Sequence, residues 1–432
     1  MRKTILAFFL TVLCLCGSIF ALEPPVAQAK AALLYEATTG EMLVSQNIDE
    51  KLFPASTTKM LTALVAVEHC KPEDMITVNK SALDGLYEQG SSSRFQAGDQ
   101  MDFLGMLKYL LIASGNDAAN AIAEHIAGSQ ANFALMMNQK AKDLGCTDTN
   151  FVNPHGLHSE QHYTTARDLL KIAMACMEND TIADIVGTAQ ERVVFYRGGT
   201  PYGMTLHNTN CLLSTNTTKN YIYDGVFGIK TGTTTPAGLC LVAGARSGSL
   251  TFYTVVLGAP KSDDGKLYQY EETVKLLDYG TQHFSIQKMV DTGKPVTEAP
   301  VELAKDRDSV VLMPAENISA LLPDDFTLDQ VKVTYTVQED IVAPIAKGDV
   351  LGTASYSYNG RDYGSVELVA ALSIERSQTL YMMHQVKAFV SSTAFKVGLI
   401  SFVALLVLII VIVVIHHRRA KNRRYSSVRR KH

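Results

Sequence analysis

Charge is scarce in this chain. Only 19 % of its 432 residues are Asp, Glu, Lys or Arg, while 47 % are hydrophobic. A chain so apolar can bury a sizeable core, which excludes a wholly disordered protein. Long apolar runs are missing from the interior and occur only at the two ends, which argues against a polytopic membrane protein. Internal repeats and low-complexity tracts are absent as well. Acid is absent from residues 418–432, which hold eight Lys and Arg; without that tail the net charge of −4 becomes −12. A body of that sign is not a nucleic-acid binder. Cysteine is sparse: of seven, Cys14 and Cys16 fall in the first apolar run. Cys70, Cys146, Cys176, Cys211 and Cys240 fit no metal-ligand spacing and cannot all pair within one chain, so most read as small core residues.

The two ends fix the expected compartment. Met1-Arg2-Lys3 followed by the apolar run Ile5–Phe20 has the layout of a secretory signal peptide. Residues 1–29 are assigned to it, with cleavage after Ala21 or after Ala29; the alternative is an uncleaved anchor. Val397–Ile415 is 19 residues without a charge. At 1.5 Å per residue that is about 28 Å, close to the hydrocarbon thickness of a bilayer. The basic tail 416–432 follows at once, so the positive-inside rule puts the C-terminus in the cytoplasm. The intervening chain is expected outside the membrane, held by one C-terminal span.

The length suggests two or three domains, at roughly 100–200 residues each. Residues 30–284 read as one large mixed α+β domain. Ala31–Tyr35 reads as a strand, and Thr38-Thr39-Gly40 as a turn to a second. Ala55–His69 reads as a helix, with Pro54 at its start and Pro72 beyond its end. Phe103–Leu111, Asp117–Ala127, Asn132–Leu144 and Tyr268–Tyr279 carry further helical patterns. Val226–Lys230, Gly238–Ala245 and Thr251–Leu257 read as strands. Residues 285–375 read as a small all-β domain, with runs at Ser309–Met313, Val331–Val337 and Ser365–Ala371 and an Asn359-Gly360 turn. Residues 376–396 read as an amphipathic stalk, from the spacing of Leu380, Met383, Val386, Phe389 and Val390.

Three short motifs carry chemistry. Ser56-Thr57-Thr58-Lys59 opens the first long helix, Ser114-Gly115-Asn116 lies between two helices, and Lys230-Thr231-Gly232 ends a strand. Each alone has an ordinary reading: a helix-start serine, a polar turn, a hairpin edge. Together, in this order, they match the signature of class A β-lactamases and penicillin-binding proteins. Ser56 and Lys59 are three apart and share a helix face. Ser56 sits in the first turn, where free N–H groups and the helix dipole favour developing negative charge. A serine hydroxyl needs a base, and a lysine is one only when neutral. Desolvation and a second cation, Lys230, would both favour the neutral amine.

The resemblance is then close. Phe53–Met60, Ala113–Ala119, Asn153-Pro154-His155-Gly156-Leu157 and Gly228–Thr233 are similar to the serine D-alanyl-D-alanine carboxypeptidase family of low-molecular-weight penicillin-binding proteins. Pro344-Ile345-Ala346-Lys347-Gly348 is similar to that family's C-terminal domain. The resemblance implies the penicillin-binding protein/β-lactamase-like (DD-peptidase) fold, then a small all-β domain and a transmembrane helix. It implies Ser56 as the acylated nucleophile and Lys59 as its base, with Ser114 and Asn116 in the proton relay. Lys230, Thr231, Gly232 and Thr233 would form the substrate edge, with the N–H groups of Ser56 and Thr233 as the oxyanion hole. The substrates would be peptidoglycan stem peptides losing a terminal D-alanine, with β-lactams as covalent inhibitors and neither metal nor cofactor required.

The chain departs from the family pattern at three points. Thr233 stands where some members have histidine. A full span replaces the usual amphipathic end. The cation that helps bind the substrate carboxylate has no motif, and Arg246, Lys261 and Lys266 are candidates. Other activities remain: a β-lactamase, although no Glu-x-x-Leu-Asn lies between Ser114 and Lys230; a transpeptidase; and a β-lactam sensor, although the tail is only 17 residues. His155, His158 and His162 could be metal ligands but read better as a polar loop near the site. Gly90-Ser91-Ser92-Ser93 reads as a loop, since no Gly-Lys pair follows to cradle phosphate.

Overall fold

The computed structural model describes residues 23–87, 91, 93–213, 221–262 and 265–428. Most of the expected signal peptide and the last four residues of the tail lie outside the described residues. The chain forms two units, one running through Ser285 and including Leu321–Asp324, the other made of Ile286–Ala320 and Asp325 onward.

The first unit is built on an antiparallel sheet of β1 (Ala31–Glu36), β2 (Glu41–Gln46), β3 (Val226–Thr234), β4 (Gly238–Ser247) and β5 (Leu250–Ala259), ordered β2-β1-β5-β4-β3. Its central strands are apolar at consecutive positions because both faces are covered. Ala31, Leu33, Val242 and Val255 enter one core with Met60, Leu61 and Leu64 of the helix Lys59–Val67. Ala32, Leu34, Phe252 and Val256 point the other way, onto Leu276 and Leu277 of the helix Tyr268–His283. The two-residue period of a strand makes this split. Ala27 joins the second core, and the Gln46 side chain holds the segment before β1: it accepts from Ala27 N (2.9 Å) and donates to the carbonyls of Ala27 (3.1 Å) and Ala29 (2.9 Å). Lys275 Nζ donates to Val26 O at 2.7 Å.

Helices Phe103–Ile112, Asn116–Ala127, Gln130–Asp143 and Ala166–Met177 pack around Lys59–Val67. That central helix is buried from Lys59 to Ala66, which explains an apolar sequence on all sides. Side chains at the N-caps satisfy free backbone donors: Asp102 accepts from Gly105 N (2.7 Å) and Thr165 from Asp168 N (3.1 Å). A second sheet runs Met75–Thr77, Gln100–Asp102, Gln190–Arg197, Thr200–His207.

The expected strands and helices named above are present with shifted ends. The first helix begins as a 3-10 turn, Ala55–Thr58, because Ala55 adopts a left-handed φ of 49°, and the α-helix stops at Val67. The fourth helical pattern, Asn132–Leu144, starts earlier, at Gln130, where Ser129 caps it. The sequence reading did not name the hairpin Gln190–His207. Pro201 and Gly203 weaken its strand signature, and they are tolerated because Thr200–His207 is an edge strand. Its Gly198-Gly199 turn supplies two positive φ values, 55° and 82°.

In the second unit, five strands are ordered Thr297–Pro300, Ser309–Pro314, Arg361–Ala370, Val350–Tyr358, Lys332–Val337. Asn359 (φ 48°) and Gly360 (φ 79°) make the tight turn their sequence anticipated. Helix Gln378–Ser391 starts at the Ser377 cap and buries no residue. Ser392 is extended (ψ 147°), and a single helix Thr393–Val428 follows. Its segment Thr393–Ala420, whose most apolar 18-residue stretch has a mean hydropathy of 3.5, is long and apolar enough to cross a bilayer.

Candidate active site

The turn before Lys59–Val67 aims Ser56 into a cleft of about 940 Å³. Two glycines from elsewhere in the chain support that turn. A Cβ on Gly156 would lie 1.8 Å from Ala55 O, and one on Gly232 would lie 2.9 Å from both Pro54 O and Ser56 N. Gly156 also adopts φ +86°, so it meets two requirements that only glycine satisfies. Asn153 shapes its loop: Oδ1 accepts from Gly156 N (2.7 Å), and Nδ2 donates to Leu157 O (2.9 Å).

Lys59 is fully buried, and its Nζ meets three oxygens: Ser56 Oγ at 2.9 Å, Asn116 Oδ1 at 2.6 Å and His155 O at 2.8 Å. Burial pushes its pKa well below 10.5; the neighbouring charge of Lys230 adds to this and Asp117 opposes it. The neutral amine has two N–H bonds and one lone pair. Asn116 Oδ1 and His155 O can only accept, so both N–H bonds go to them and the lone pair faces the Ser56 hydroxyl. Asn116 is held in this sense because its Nδ2 donates to Ser91 Oγ at 2.8 Å.

Ser114 lines the same cleft in a left-handed conformation, φ 62°. Gly115 has an ordinary φ of −58°, and its requirement is steric: a Cβ there would lie 2.6 Å from the Tyr109 ring. Of the four residues on β3, Thr233 lines the cleft, Gly232 backs the Ser56 turn, and Thr231 Oγ1 bonds Thr209 Oγ1 at 2.6 Å. Lys230 is 1 % exposed, donates to Thr231 O at 3.2 Å, and is lowered by burial to about 7. Among the candidate carboxylate cations, Lys261 lines the cleft. Arg246 instead lies 4.9 Å over the Phe227 ring in another groove, and Lys266 lies 6.0 Å over the Tyr268 ring.

The histidines depart from the expected polar loop. His158 lines the cleft, 4.6 Å edge-on to Phe53, but His155 and His162 are buried behind the site. His162 Nδ1 accepts from Val152 N (3.1 Å), so Nε2 carries the proton and donates to Thr58 Oγ1 (2.8 Å), which donates on to Ala55 O (2.8 Å). Burial, with the charges of His158 and Lys59, lowers His162 to about 3. These two histidines brace the Ser56 turn as neutral rings. Sequence reasoning also missed Ser91, Arg94 and Tyr109 on the cleft wall, and Asp117 beneath it. Asp117 was visible as the residue after Asn116, but nothing local shows that it accepts from Ser93 Oγ (2.6 Å) and Arg94 N (3.1 Å). The five cysteines are all free, and four are buried.

Comparison with known proteins agrees with this geometry. The D-alanyl-D-alanine carboxypeptidase profile matches residues 19–261, and that of the penicillin-binding protein 5 C-terminal domain matches 284–376. The chain is 34 % identical over 340 residues to D-alanyl-D-alanine carboxypeptidase DacF of Bacillus subtilis, covering 77 % of this chain and 82 % of that one. It is 33 % identical to DacC of Escherichia coli, covering 82 % and 86 %. Penicillin-binding protein 5 from Haemophilus influenzae superposes with a TM-score of 0.56 at 29 % identity, over 82 % of this chain and all of that one. The Streptomyces K15 DD-transpeptidase gives 0.55 at 28 % identity, over 60 % and 98 %. The fold is therefore that of the penicillin-binding-protein DD-peptidases, serine hydrolases of peptidoglycan peptides that β-lactams inhibit. The chain belongs to the D-alanyl-D-alanine carboxypeptidase family.

Two outcomes are expected from this architecture. Gly128 has φ +72° and open space around it, so Gly128→Ala should cost about 1–2 kcal/mol of stability, the price of a left-handed alanine. Gly156→Ala should cost clearly more in urea unfolding and abolish acylation by penicillin, because its methyl group meets Ala55 O. The second outcome concerns Lys230. Its folded pKa of about 7 lies below the ordinary 10.5, so between those values the unfolded chain binds more protons and stability rises with pH. Lys230→Met should reduce that slope by up to about 1.4 kcal/mol per pH unit, measured by denaturation at pH 7, 8 and 9. An unchanged slope would refute the burial argument.

Proposed function

We propose that this carboxypeptidase removes the terminal D-alanine of peptidoglycan pentapeptides through an acyl-enzyme on Ser56. The observation that carries the reading is a fully buried Lys59, its pKa pushed well below 10.5, with Nζ 2.9 Å from Ser56 Oγ. Lys59 takes the hydroxyl proton as Oγ bonds to the penultimate D-alanyl carbonyl carbon. The oxyanion meets the N–H groups of Ser56 and Thr233. Ser114 passes its proton to the amine nitrogen as the C–N bond breaks and takes in return the proton held by Lys59, so D-alanine leaves and Lys59 is neutral again. Asn116 holds Lys59 in place. Water then attacks the ester with Lys59 again as base. The terminal carboxylate meets the edge of β3, where Thr233 and Lys261 line the cleft and Lys230 lies beneath. No Asp or Glu is among the described residues lining the cleft, which disfavours a separate deacylating carboxylate of the β-lactamase kind. Likeness to a DD-transpeptidase favours a second reading, in which an amine replaces water as acceptor.

After penicillin treatment, intact-mass measurement should show one adduct, on the peptide containing Ser56. It should vanish in Ser56→Ala, and form at least about 10²-fold more slowly in Lys59→Ala. With a D-Ala-D-Ala peptide and an amine present, free D-alanine should exceed cross-linked product. An adduct persisting in Ser56→Ala would sink the assignment.

We further propose that the chain is exported and cleaved after Ala21. Cleavage after Ala29 would delete Ala27 from the core and leave Gln46 without its three partners. The exterior part comprises the catalytic domain to residue 284, the β-domain 285–375 and the stalk 376–396. Residues 397–415 span the membrane, and 416–432 lie in the cytoplasm. Since Gln378–Ser391 buries nothing, a fragment ending at Ser377 should be soluble, active on small peptides and released from cells. Its mass should correspond to a chain beginning at Leu22; one beginning at Lys30 would overturn the cleavage site.

A further inference from the structure

Arg94 stands on the cleft wall with no role in the chemistry above. Its backbone is fixed from below: its N–H donates to Asp117 Oδ2 at 3.1 Å, and Ser93 Oγ donates to the same oxygen at 2.6 Å. The next residue, Phe95, is buried edge-on against Tyr109 (5.4 Å) and Phe195 (5.5 Å). The guanidinium, by contrast, is exposed and makes no hydrogen bond or ion pair among the described residues. Two other arginines of this unit are paired with carboxylates. Arg197 forks onto Asp99 (2.8 and 2.6 Å), and Arg167 forks onto Asp49 (2.6 and 3.0 Å). Asp117 is already occupied: besides Ser93 Oγ and Arg94 N, Oδ2 accepts from Tyr109 OH at 3.4 Å and Oδ1 from Ala118 N at 2.9 Å. An anchored, unpaired fork in a cleft whose described lining has no acid is suited to a carboxylate of the substrate.

The substrate's own terminal carboxylate is assigned to the β3 side, with Thr233 and Lys261. Arg94 belongs to the side built by Ser91, Tyr109 and Asn116. β3 is an edge strand, so a peptide can lie along it and extend upstream beyond Ser56. We propose that Arg94 selects stem peptides bearing a second, free carboxylate upstream of the scissile D-alanyl bond, and pairs with it. The proposal rests on the carboxypeptidase reading. Two carboxylates of a stem share this chemistry: a side-chain carboxylate on the third residue, and the α-carboxylate of a γ-linked glutamate at the second.

The test uses the full-length protein in detergent and three pentapeptides: one with both carboxylates free, and one with each amidated in turn. D-alanine leaves at acylation, so kcat/KM for its release reads recognition whether water or an amine takes the acyl group. In the wild type, amidation at one position should lower kcat/KM by about tenfold or more, as loss of a charge-assisted pair implies. The position that responds identifies the carboxylate. Arg94→Gln should bring the parent peptide to the amidated level and become indifferent to amidation, while Arg94→Lys keeps part of the preference. Acylation by benzylpenicillin, which lacks the upstream stem, should stay within about twofold in both variants, showing that the Ser56 site is intact. Equal amidation ratios in wild type and Arg94→Gln, or no discrimination in the wild type, would overturn the role of Arg94 and leave the carboxypeptidase reading standing. If no peptide releases D-alanine, both fall.

Discussion

A single amine buried among three oxygens organises the catalytic unit. Lys59 Nζ ties together the Ser56 turn, the start of the helix Asn116–Ala127 and the loop carrying His155. A charged ammonium there would be expensive to bury, and the second buried lysine raises that cost. The site therefore holds a strong base in its neutral form, at the expense of stability at neutral pH. The fold offsets that expense with a core covered on both faces of its sheet.

The geometry around Ser56 is strained by design of its neighbours. Ala55 and Ser114 both adopt left-handed φ values that alanine and serine avoid, and both belong to turns at the cleft. Such conformations persist only when surroundings over-determine them. Here Gly156 and Gly232 close against the turn from two sides, and a neutral His162 feeds a hydrogen-bond relay through Thr58 to Ala55 O. Proline, glycine and histidine in Asn153-Pro154-His155-Gly156 thus support the Ser56 turn from nearly a hundred residues away; Thr62 Oγ1 adds a bond to Pro154 O at 2.6 Å, 92 positions along the chain.

Beyond the enzyme unit the chain is simpler. The strands of the second unit carry no catalytic grouping, and the helix Gln378–Ser391 leaves Met382, Met383, Val386 and Phe389 exposed. Apolar side chains in that position suit contact with a membrane surface beside a spanning helix.

Much of this was legible in the sequence. Ser56 and Lys59 share a helix face because helical periodicity is local, and Val397–Ile415 announces itself by composition alone. The strands β1, β4 and β5 were readable because consecutive apolar residues leave few other options. What the chain could not reveal locally was contact between distant segments. Nothing near Gly115 in sequence says that the Tyr109 ring excludes a Cβ there, and nothing near His162 says that it is buried and uncharged. The weak strand Thr200–His207, interrupted by Pro201 and Gly203, is held by pairing with Gln190–Arg197 rather than by its own propensity. Sequence determined which motifs lie on helix starts and strand ends and which segment is long and apolar enough to cross a bilayer, because periodicity and hydropathy act over a few residues. Tertiary structure decided which cations reach the cleft, which histidines lose their charge and which segment before β1 belongs to the fold. Burial and electrostatic fields are summed over neighbours that the linear order does not list.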